Sequence, residues 1–478
     1  MSRIRKYSVL IPFVFFLINV ILRWVDIGVN SLAGDEPFSV YFAQMPLADI
    51  LRHLRPGNNP PLYELFLHFW EQWFGIEETA VRIPSLIFTG ITAAFLYKIG
   101  NEFYSKTIGI FAALVFTFSN YATFFAHEAR VYAFFGMLTC LSMYYFLRWL
   151  NDRYTTRTLV YFSVVNVLLL YAHYFGIMVL GVQFVLGVIY TFNTPNQLKK
   201  YGVSLLVSVV LFAPYIPVVW EQFFITKSEG TWLTAPQGWA TAEYMLVKFA
   251  NHRIVVYLLI AALVYAMVLF VRRGKRPDKN IVVALAWFFV PFVGMYFLSF
   301  KVPMFHDRYL MHTFVGFCLL AGLALGHLSR FKLIPWVAGG FVILTLIYTS
   351  HRNIDNGRHT KEAVTKVQEL RDADTRVVMF PKYRIFGYAY YFNRERFKNY
   401  DAEFGYYQVL EGFKEENFYG INQYSEARID STVNKVIFMM TDGGPKEQLR
   451  TEFSQEFEET AKYHFPEITD VFVYKRKK

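Results

Sequence analysis

Apolar runs of close to twenty residues, separated by short polar stretches, fill the first 350 positions of this chain. A helix needs roughly 20 mostly apolar residues to cross the hydrocarbon core of a bilayer, and about eleven runs meet that need. They lie near 7–25, 81–99, 107–126, 131–150, 158–174, 175–192, 202–220, 254–271, 281–300, 309–327 and 333–349. Only YAHYFG (171–176) separates the fifth run from the sixth, and the last, LIPWVAGGFVILTLIYT, is short. Beyond residue 350 the pattern changes. TRVVMF, NKVIFMM and DVFVYKR read as short strands, and TKEAVTKVQELRD and GPKEQLRTEFSQEFEETAKY as amphipathic helices. The expected fold is a polytopic α-helical membrane protein with a small α/β C-terminal domain. Residues 1–350 form the membrane domain, with a first outer loop at 26–80, and residues 351–478 form the second domain. There is no internal repeat.

Composition agrees with the pattern. The 478 residues are 55% hydrophobic and 19% aromatic, with a mean hydropathy of +0.28, too apolar for an ordinary soluble enzyme. Cys140 and Cys318 both lie inside apolar runs and make neither a disulfide framework nor a metal-ligand spacing. The net charge of +11 is spread as short basic clusters between the runs, which is a topology signal and excludes nucleic acid as the partner. One alternate set of connections holds Arg3, Arg5 and Lys6; Lys98 and Lys106; Arg148, Arg153 and Arg157; Lys199 and Lys200; Arg272, Arg273, Lys275, Arg276 and Lys279; and Arg330 and Lys332. That set faces the cytoplasm. With an odd number of spans, the C-terminal segment lies on the opposite side, which in a bacterium is the periplasmic face of the inner membrane. The basic N-terminus precedes an apolar run with no small-residue cleavage site, so it reads as an uncleaved first span.

This orientation collects the unusual polar residues on one side: GDEPF and RPGNNPPLYE in loop 26–80, HEARVY (127–132), YAHYFG, SEGTWLTAPQ, and KVPMFHDRYL (301–310). The cytoplasmic loops are short and simply basic. One-sided polarity fits a site at the outer membrane surface, whereas a carrier needs polar groups and broken helices near the midplane. In the first loop, Phe38, Tyr41, Phe42, Met45, Ile50, Leu51 and Leu54 recur at helical spacing, with Pro46 restarting the helix. PLYELFLHFWEQWF (61–74) carries Glu64, His68 and Glu71, too charged for a span. Both stretches read as helices on the membrane surface or packed on the spans. Either way, Asp35 and Glu36 are held near the lipid headgroups. Arg130 and Arg308 each start an inward-running span, where the helix dipole disfavours a cation by roughly 0.3–1 kcal/mol. A bound phosphate reverses that sign; the competing reading is that each arginine snorkels or pairs with Glu128 or Asp307. YRIFGYAYYFN (383–393) either lines a groove or forms a packed core and turn. Trp232 and Tyr132 either stack on a ligand or belong to an aromatic belt.

GDEPFSVYFAQ, NNPPLYELFLHFW, AVRIPSLIFTGITAAFLYKIG, HEARVYAFF and HDRYL, in that order, resemble the C-type glycosyltransferase superfamily. The branch is that of the dolichyl-phosphate-mannose protein mannosyltransferases and the lipid A aminoarabinose transferases. The resemblance covers most of 1–350. It implies a polyprenyl-phosphate sugar donor, chemistry on the outer face, Asp35 as general base with Glu36 beside it, and Arg130 holding the donor phosphate, with Arg308 in a similar role. Asn59, Tyr63, Glu128, Tyr132, His173 and Asp307 are the further candidates for substrate contact. Relatives often carry a His before PPLY; here Asn58 and Asn59 stand there, and an amide cannot exchange a proton near neutral pH.

The chemistry also stands without the resemblance. Phosphate is a good leaving group and needs its developing charge stabilised, which arginines supply. The acceptor hydroxyl needs a base, which one carboxylate supplies, and a single displacement inverts the anomeric centre. No cofactor is required; a divalent metal is admissible, since Asp35, Glu36, His53, His127, His173 and His306 share the outer face. The expected partners are a polyprenyl-phosphate-linked sugar, an acceptor protein, glycolipid or polysaccharide, and membrane lipids. The alternative functions are a lipid-linked sugar transporter or flippase, and a non-catalytic binding protein.

Overall fold

The computed structural model describes residues 2–32, 34–55, 57, 59–229, 233–272, 278–326, 333–352, 354, 357, 359–398, 411–441, 446–465 and 469–478. Asn58, Trp232, Arg273, Lys275, Arg276, Arg330 and Lys332 lie outside these residues. The chain divides into two compact units. The first comprises residues 1–26, 54–63 and 82–354, and the second residues 27–53, 64–81 and 355–478. The sequence grouped the whole loop 26–80 with the spans, whereas most of it clusters with the C-terminal segment.

The first unit is helical wherever the apolar runs predict helix. In hydrocarbon every backbone N–H and C=O must be satisfied within its own segment, and only helices do that without pairing strands. Five helices among the described residues are long and apolar enough to cross a membrane alone: Glu78–Phe103, Val131–Leu150, Pro195–Phe224, Lys279–Leu298 and Asp307–Gly326. Two bent pairs raise that number to seven, and four shorter apolar helices accompany them: Leu10–Trp24, Thr156–Ala172, Gly176–Thr191 and Ile334–Thr349. Large apolar side chains such as Ile21, Ile177, Val337 and Leu344 stay exposed on the outer surface of the unit, as lipid-facing positions should. Polar side chains turn inward and bond across helices. Ser142 donates to Asn166 (2.6 Å), Gln183 donates to Ser142 (2.8 Å), and Ser163 and Ser204 share a 2.7 Å bond. Glycine permits one close approach: a Cβ on Gly100 would lie 2.3 Å from the Cα of Gly109.

The two bent pairs are Lys106–Thr117 with Asn120–Ala126 (60°) and Trp239–Ala250 with Arg253–Val268 (96°). Broken spans were not expected from the sequence, and their construction is specific. Asn251, in the left-handed region at φ 61°, sits at the second break. Its amide donates to Phe118 O (2.8 Å) and accepts from Asn120 N–H (2.7 Å), so one side chain caps both sides of the other break. Arg23 at the end of the first helix donates to Phe116 O and Thr117 O, and Asn120 donates to Thr349 O at the end of another helix. The backbone groups freed at the first break are therefore capped by side chains from neighbouring helices.

The second unit is built on a five-stranded sheet. Its strands are β1 (Thr375–Phe380), β2 (Phe418–Gly420), β3 (Lys435–Met440), β4 (Phe457–Phe465) and β5 (Thr469–Arg476), in the order β2-β1-β3-β5-β4. The first three neighbours run parallel, and β5 is antiparallel to β3 and β4. Three strands lie where the short apolar runs placed them; β2 was missed because three residues carry too little pattern. One expectation is corrected. The stretch 444–463 read as a single helix, but the helix is Lys446–Glu456 and the chain then becomes strand β4. FEETAKYHF has helix-forming residues, and pairing with β5 overrides that local preference. Helix Glu36–Ala43 joins this unit by docking on helix Ile385–Phe392: Phe38, Tyr41 and Phe42 all meet the ring of Phe386 within 5.3–6.3 Å. The aromatic stretch 383–393 is therefore core, with Ile385, Phe386, Tyr388, Ala389, Tyr390 and Phe392 buried.

Candidate active site

The proposed carboxylates belong to the second unit. Gly34 takes φ 61°, which only glycine adopts freely, and turns the chain into helix Glu36–Ala43. Asp35 is the N-cap residue, yet its side chain makes no capping bond; Pro37 instead presets the first turn. The two adjacent acids part company here. Asp35 is exposed, while Glu36 is buried to 1% exposure. Three bonds from the C-terminal segment and the loop itself fix this turn. Lys361 N–H donates to Ser31 Oγ (3.0 Å), Leu32 N–H donates to Tyr391 Oη (2.7 Å), and Ser39 Oγ donates to the carboxylate of Glu64 (2.8 Å). Farther along, Tyr390 Oη donates to Ile76 O (2.8 Å) and Arg394 bridges Glu77 and Glu78.

The arginines belong to the first unit. HEARVY is the turn between helices Asn120–Ala126 and Val131–Leu150. His127 ends the first of these and donates from Nε2 to Arg23 O (2.7 Å); Ser85 Oγ donates to Glu128 O (2.6 Å). Arg130 is the extended N-cap residue of the twenty-residue helix and is buried at the positive end of its dipole. Arg308 lies in the 3₁₀ turn Asp307–Leu310 that opens helix Met311–Gly326, with its guanidinium 6.0 Å from the centre of the Tyr132 ring. Tyr132, in the first turn of the helix that Arg130 starts, thus brings the two helix starts together. Asp307 braces the turn. Its carboxylate meets Lys248 Nζ (2.6 Å) and His306 Nδ1 (2.7 Å) and caps Arg308 N–H (2.7 Å), while Tyr121 Oη donates to Asp307 O.

His173 sits beside this group, between helices Thr156–Ala172 and Gly176–Thr191. Its ring stacks between Phe135 (4.7 Å) and Phe175 (5.2 Å) and meets Tyr309 (5.7 Å) and Tyr132 (6.4 Å). Burial, then His312 and Arg130, push its pKa down to about 3, so the imidazole is neutral. Phe175 N–H donates to Nδ1 (3.3 Å), which puts the proton on Nε2, and Nε2 makes no hydrogen bond among the described residues. A neutral donor therefore lies close to Arg130.

The structure brings Arg130, Arg308, Tyr132, His173 and Asp307 into one cluster. Asn59 is half-buried and Tyr63 fully buried in the segment 54–63 of the same unit, which Gln222 holds through Arg55 O (2.7 Å). Two acids that sequence reasoning read only as charges against a span, Glu64 and Glu71, are buried. No three His, Cys, Asp or Glu side chains gather to hold a metal ion among the described residues.

The family model of the dolichyl-phosphate-mannose-protein mannosyltransferases matches residues 58–220. No curated protein matches the chain. Among solved structures, ArnT from Cupriavidus metallidurans, both apo and bound to undecaprenyl phosphate, is similar with a TM-score of 0.62 and 11% identity, over 96% of this chain and 97% of that one. The archaeal oligosaccharyltransferase AglB from Archaeoglobus fulgidus, in complex with an inhibitory peptide and a dolichol-phosphate, is similar with a TM-score of 0.55 and 11% identity, over 91% of this chain and 69% of that one. The chain thus has the fold of the ArnT structures, and its residues 58–220 are similar to the mannosyltransferase family.

Proposed function

We propose that this chain is a glycosyltransferase of a bacterial inner membrane. It moves a sugar from a polyprenyl-phosphate donor to an acceptor hydroxyl on the periplasmic face. The observation that supports it most is the arginine cluster: two arginines at two helix starts, with the Tyr132 ring beside Arg308 and the neutral donor of His173 close to Tyr132. That combination suits a phosphate monoester or diester, because the two charges, the positive ends of the helix dipoles and the imidazole N–H all favour an anion. Lipid phosphates in the similar ArnT and AglB structures support the same ligand class.

In the reaction, the acceptor oxygen attacks the anomeric carbon and Asp35 takes its proton. The bond from that carbon to the phosphate oxygen breaks, and polyprenyl phosphate leaves with the electron pair. Arg130 and Arg308 stabilise the charge that develops on the leaving phosphate, and Asp35, exposed at its helix start, suits the base. One displacement inverts the anomeric centre. Glu36, buried in the same turn, positions Asp35. Asn59, Tyr63, Glu128 and Tyr132 are proposed to contact the substrate. The transporter reading draws on the two bent spans, but the bonds from Asn251 and Arg23 to the backbone of residues 116–120 favour a fixed structural break there over a path for cargo. The deciding test gives purified protein a panel of undecaprenyl-phosphate sugars with candidate acceptors. Release of undecaprenyl phosphate by wild type and its loss in folded Asp35→Asn support the reading; equal release in that variant removes Asp35 from the chemistry.

A further inference from the structure

A cavity of about 240 Å³ opens in the second unit, where the end of helix Glu36–Ala43 meets the second half of helix Leu62–Phe74. Ala43, Gln44, His68, Glu71, Gln72 and Lys398 line it. Glu71 is the unusual member. It is buried, and neither carboxyl oxygen has a hydrogen-bond partner among the described residues. A buried polar group left unsatisfied destabilises a fold and asks for an explanation. Its neighbours are already committed. Gln72 donates to His68 Nε2 (2.8 Å), which puts the imidazole proton on Nδ1, and that proton goes to Ala43 O (2.7 Å). Lys398, at the half-exposed rim, pairs with Glu395 (2.9 Å). Burial pushes the Glu71 carboxyl well above the ordinary carboxylate range and so favours the uncharged acid, with one O–H donor and one acceptor oxygen.

We propose that this cavity binds a neutral, hydroxyl-rich group about the size of one sugar ring, and that Glu71 is its principal hydrogen-bond partner. The lining selects that class. A cation would face Lys398 and find no matching carboxylate, whereas a hydroxyl both donates and accepts, as do a carboxylic acid and the two carboxamides that line the space. Ala43 and Ile76 supply the apolar wall that the C–H face of a sugar ring needs. At 240 Å³ the space is smaller than a drug-sized pocket and suits a single ring. Asp35 caps the other end of the same helix, about 13 Å away at 1.5 Å per residue. Resting on the proposed transferase reading, the subsite makes the acceptor a saccharide longer than one unit, carried by a glycolipid or polysaccharide, and not a bare protein hydroxyl.

The test is saturation-transfer NMR on the full-length protein in detergent, with a panel of methyl hexosides, methyl pentosides and their disaccharides. The expected result is transfer to at least one of them, kept in Asp35→Asn and in Glu71→Gln, and at least tenfold weaker in Glu71→Leu. Glu71→Leu should melt at or above wild type, because it removes an unpaired polar group, so lost binding in it is not lost folding. The proposal is overturned if no glycoside receives transfer from wild type, or if Glu71→Leu binds as well as wild type. Glycoside binding without release of undecaprenyl phosphate from any donor keeps the subsite and sinks the transferase reading. Release without glycoside binding does the reverse.

Discussion

The arginine cluster and the carboxylate turn are built in different ways. Arg130 and Arg308 each stand at a helix start of the first unit, where Asp307 braces the Arg308 turn, the Tyr132 ring lies 6.0 Å from Arg308 and His173 meets Tyr132. Asp35 stands in a turn built differently: its side chain makes no capping bond, and the turn is pinned by Tyr391 and Lys361, more than 300 residues away in the chain. On the proposed reading, the charges for the phosphate rest on helix starts of one compact unit, and the base depends on a long-range clamp in the other.

The largest effect expected from breaking this comparison is at Asp35. Asp35→Asn should lower turnover by about 10²–10⁴-fold, the usual scale for a general base, while undecaprenyl phosphate binding is unchanged in a fluorescence or calorimetric titration. Arg130→Ala should lower turnover by about 10²–10³-fold and also weaken that binding, so the two variants separate chemistry from lipid capture. If Arg130→Ala leaves lipid affinity intact, the arginine cluster is not the phosphate site. A pH series sharpens the contrast further. His173 is neutral when folded down to about pH 3, but takes a proton near pH 6.5 when unfolded. Between those values the unfolded state binds more protons, so stability falls as pH drops through this window, by roughly 1.4 kcal/mol per unit at most. Thermal inactivation rates should show this slope in wild type and lose it in His173→Phe. The smallest effect is at the clamp. Tyr391→Phe removes the partner of Leu32 N–H and should cost about 1–3 kcal/mol, read as a lower melting temperature of the second unit. Its turnover should fall and its lipid affinity should not.

The same contrast explains what the sequence could reveal. The runs between 7 and 349 stood out because hydrocarbon imposes one length and one polarity on every span. HEARVY and HDRYL were legible because a charged residue at the start of an apolar run has few structural excuses. Strands β1, β3 and β5 stood out as short apolar, β-branched and aromatic runs, buried on both faces for most of their length. The β4 segment did not, since its Glu, Ala and Lys favour helix until β5 offers a ladder. The docking of Phe38, Tyr41 and Phe42 on Phe386 was invisible for a different reason. An aromatic at position 386 looks the same whether it lines a groove or receives another helix, and no periodicity links it to residues 350 positions earlier. Glu71 was seen only as a charge that argued against a span, because pattern cannot show that a carboxyl lacks a partner. The bends at Asn251 and Phe118 left no mark either, as each is closed by a polar side chain from the other.

The bond from Lys361 to Ser31, 330 residues apart, also has a consequence in time. The chain emerges N-terminus first at about 5–20 residues per second, so on the order of 20–60 s separate the synthesis of the Asp35 turn from that of its clamp. On the proposed reading, a chain of that age holds Asp35 without its final seat, and the arginine cluster is complete only once Arg308 and its helix have been made. Transfer should then wait for the last quarter of the chain, so a ribosome that stalls late should leave a chain able to hold the donor lipid and unable to move its sugar.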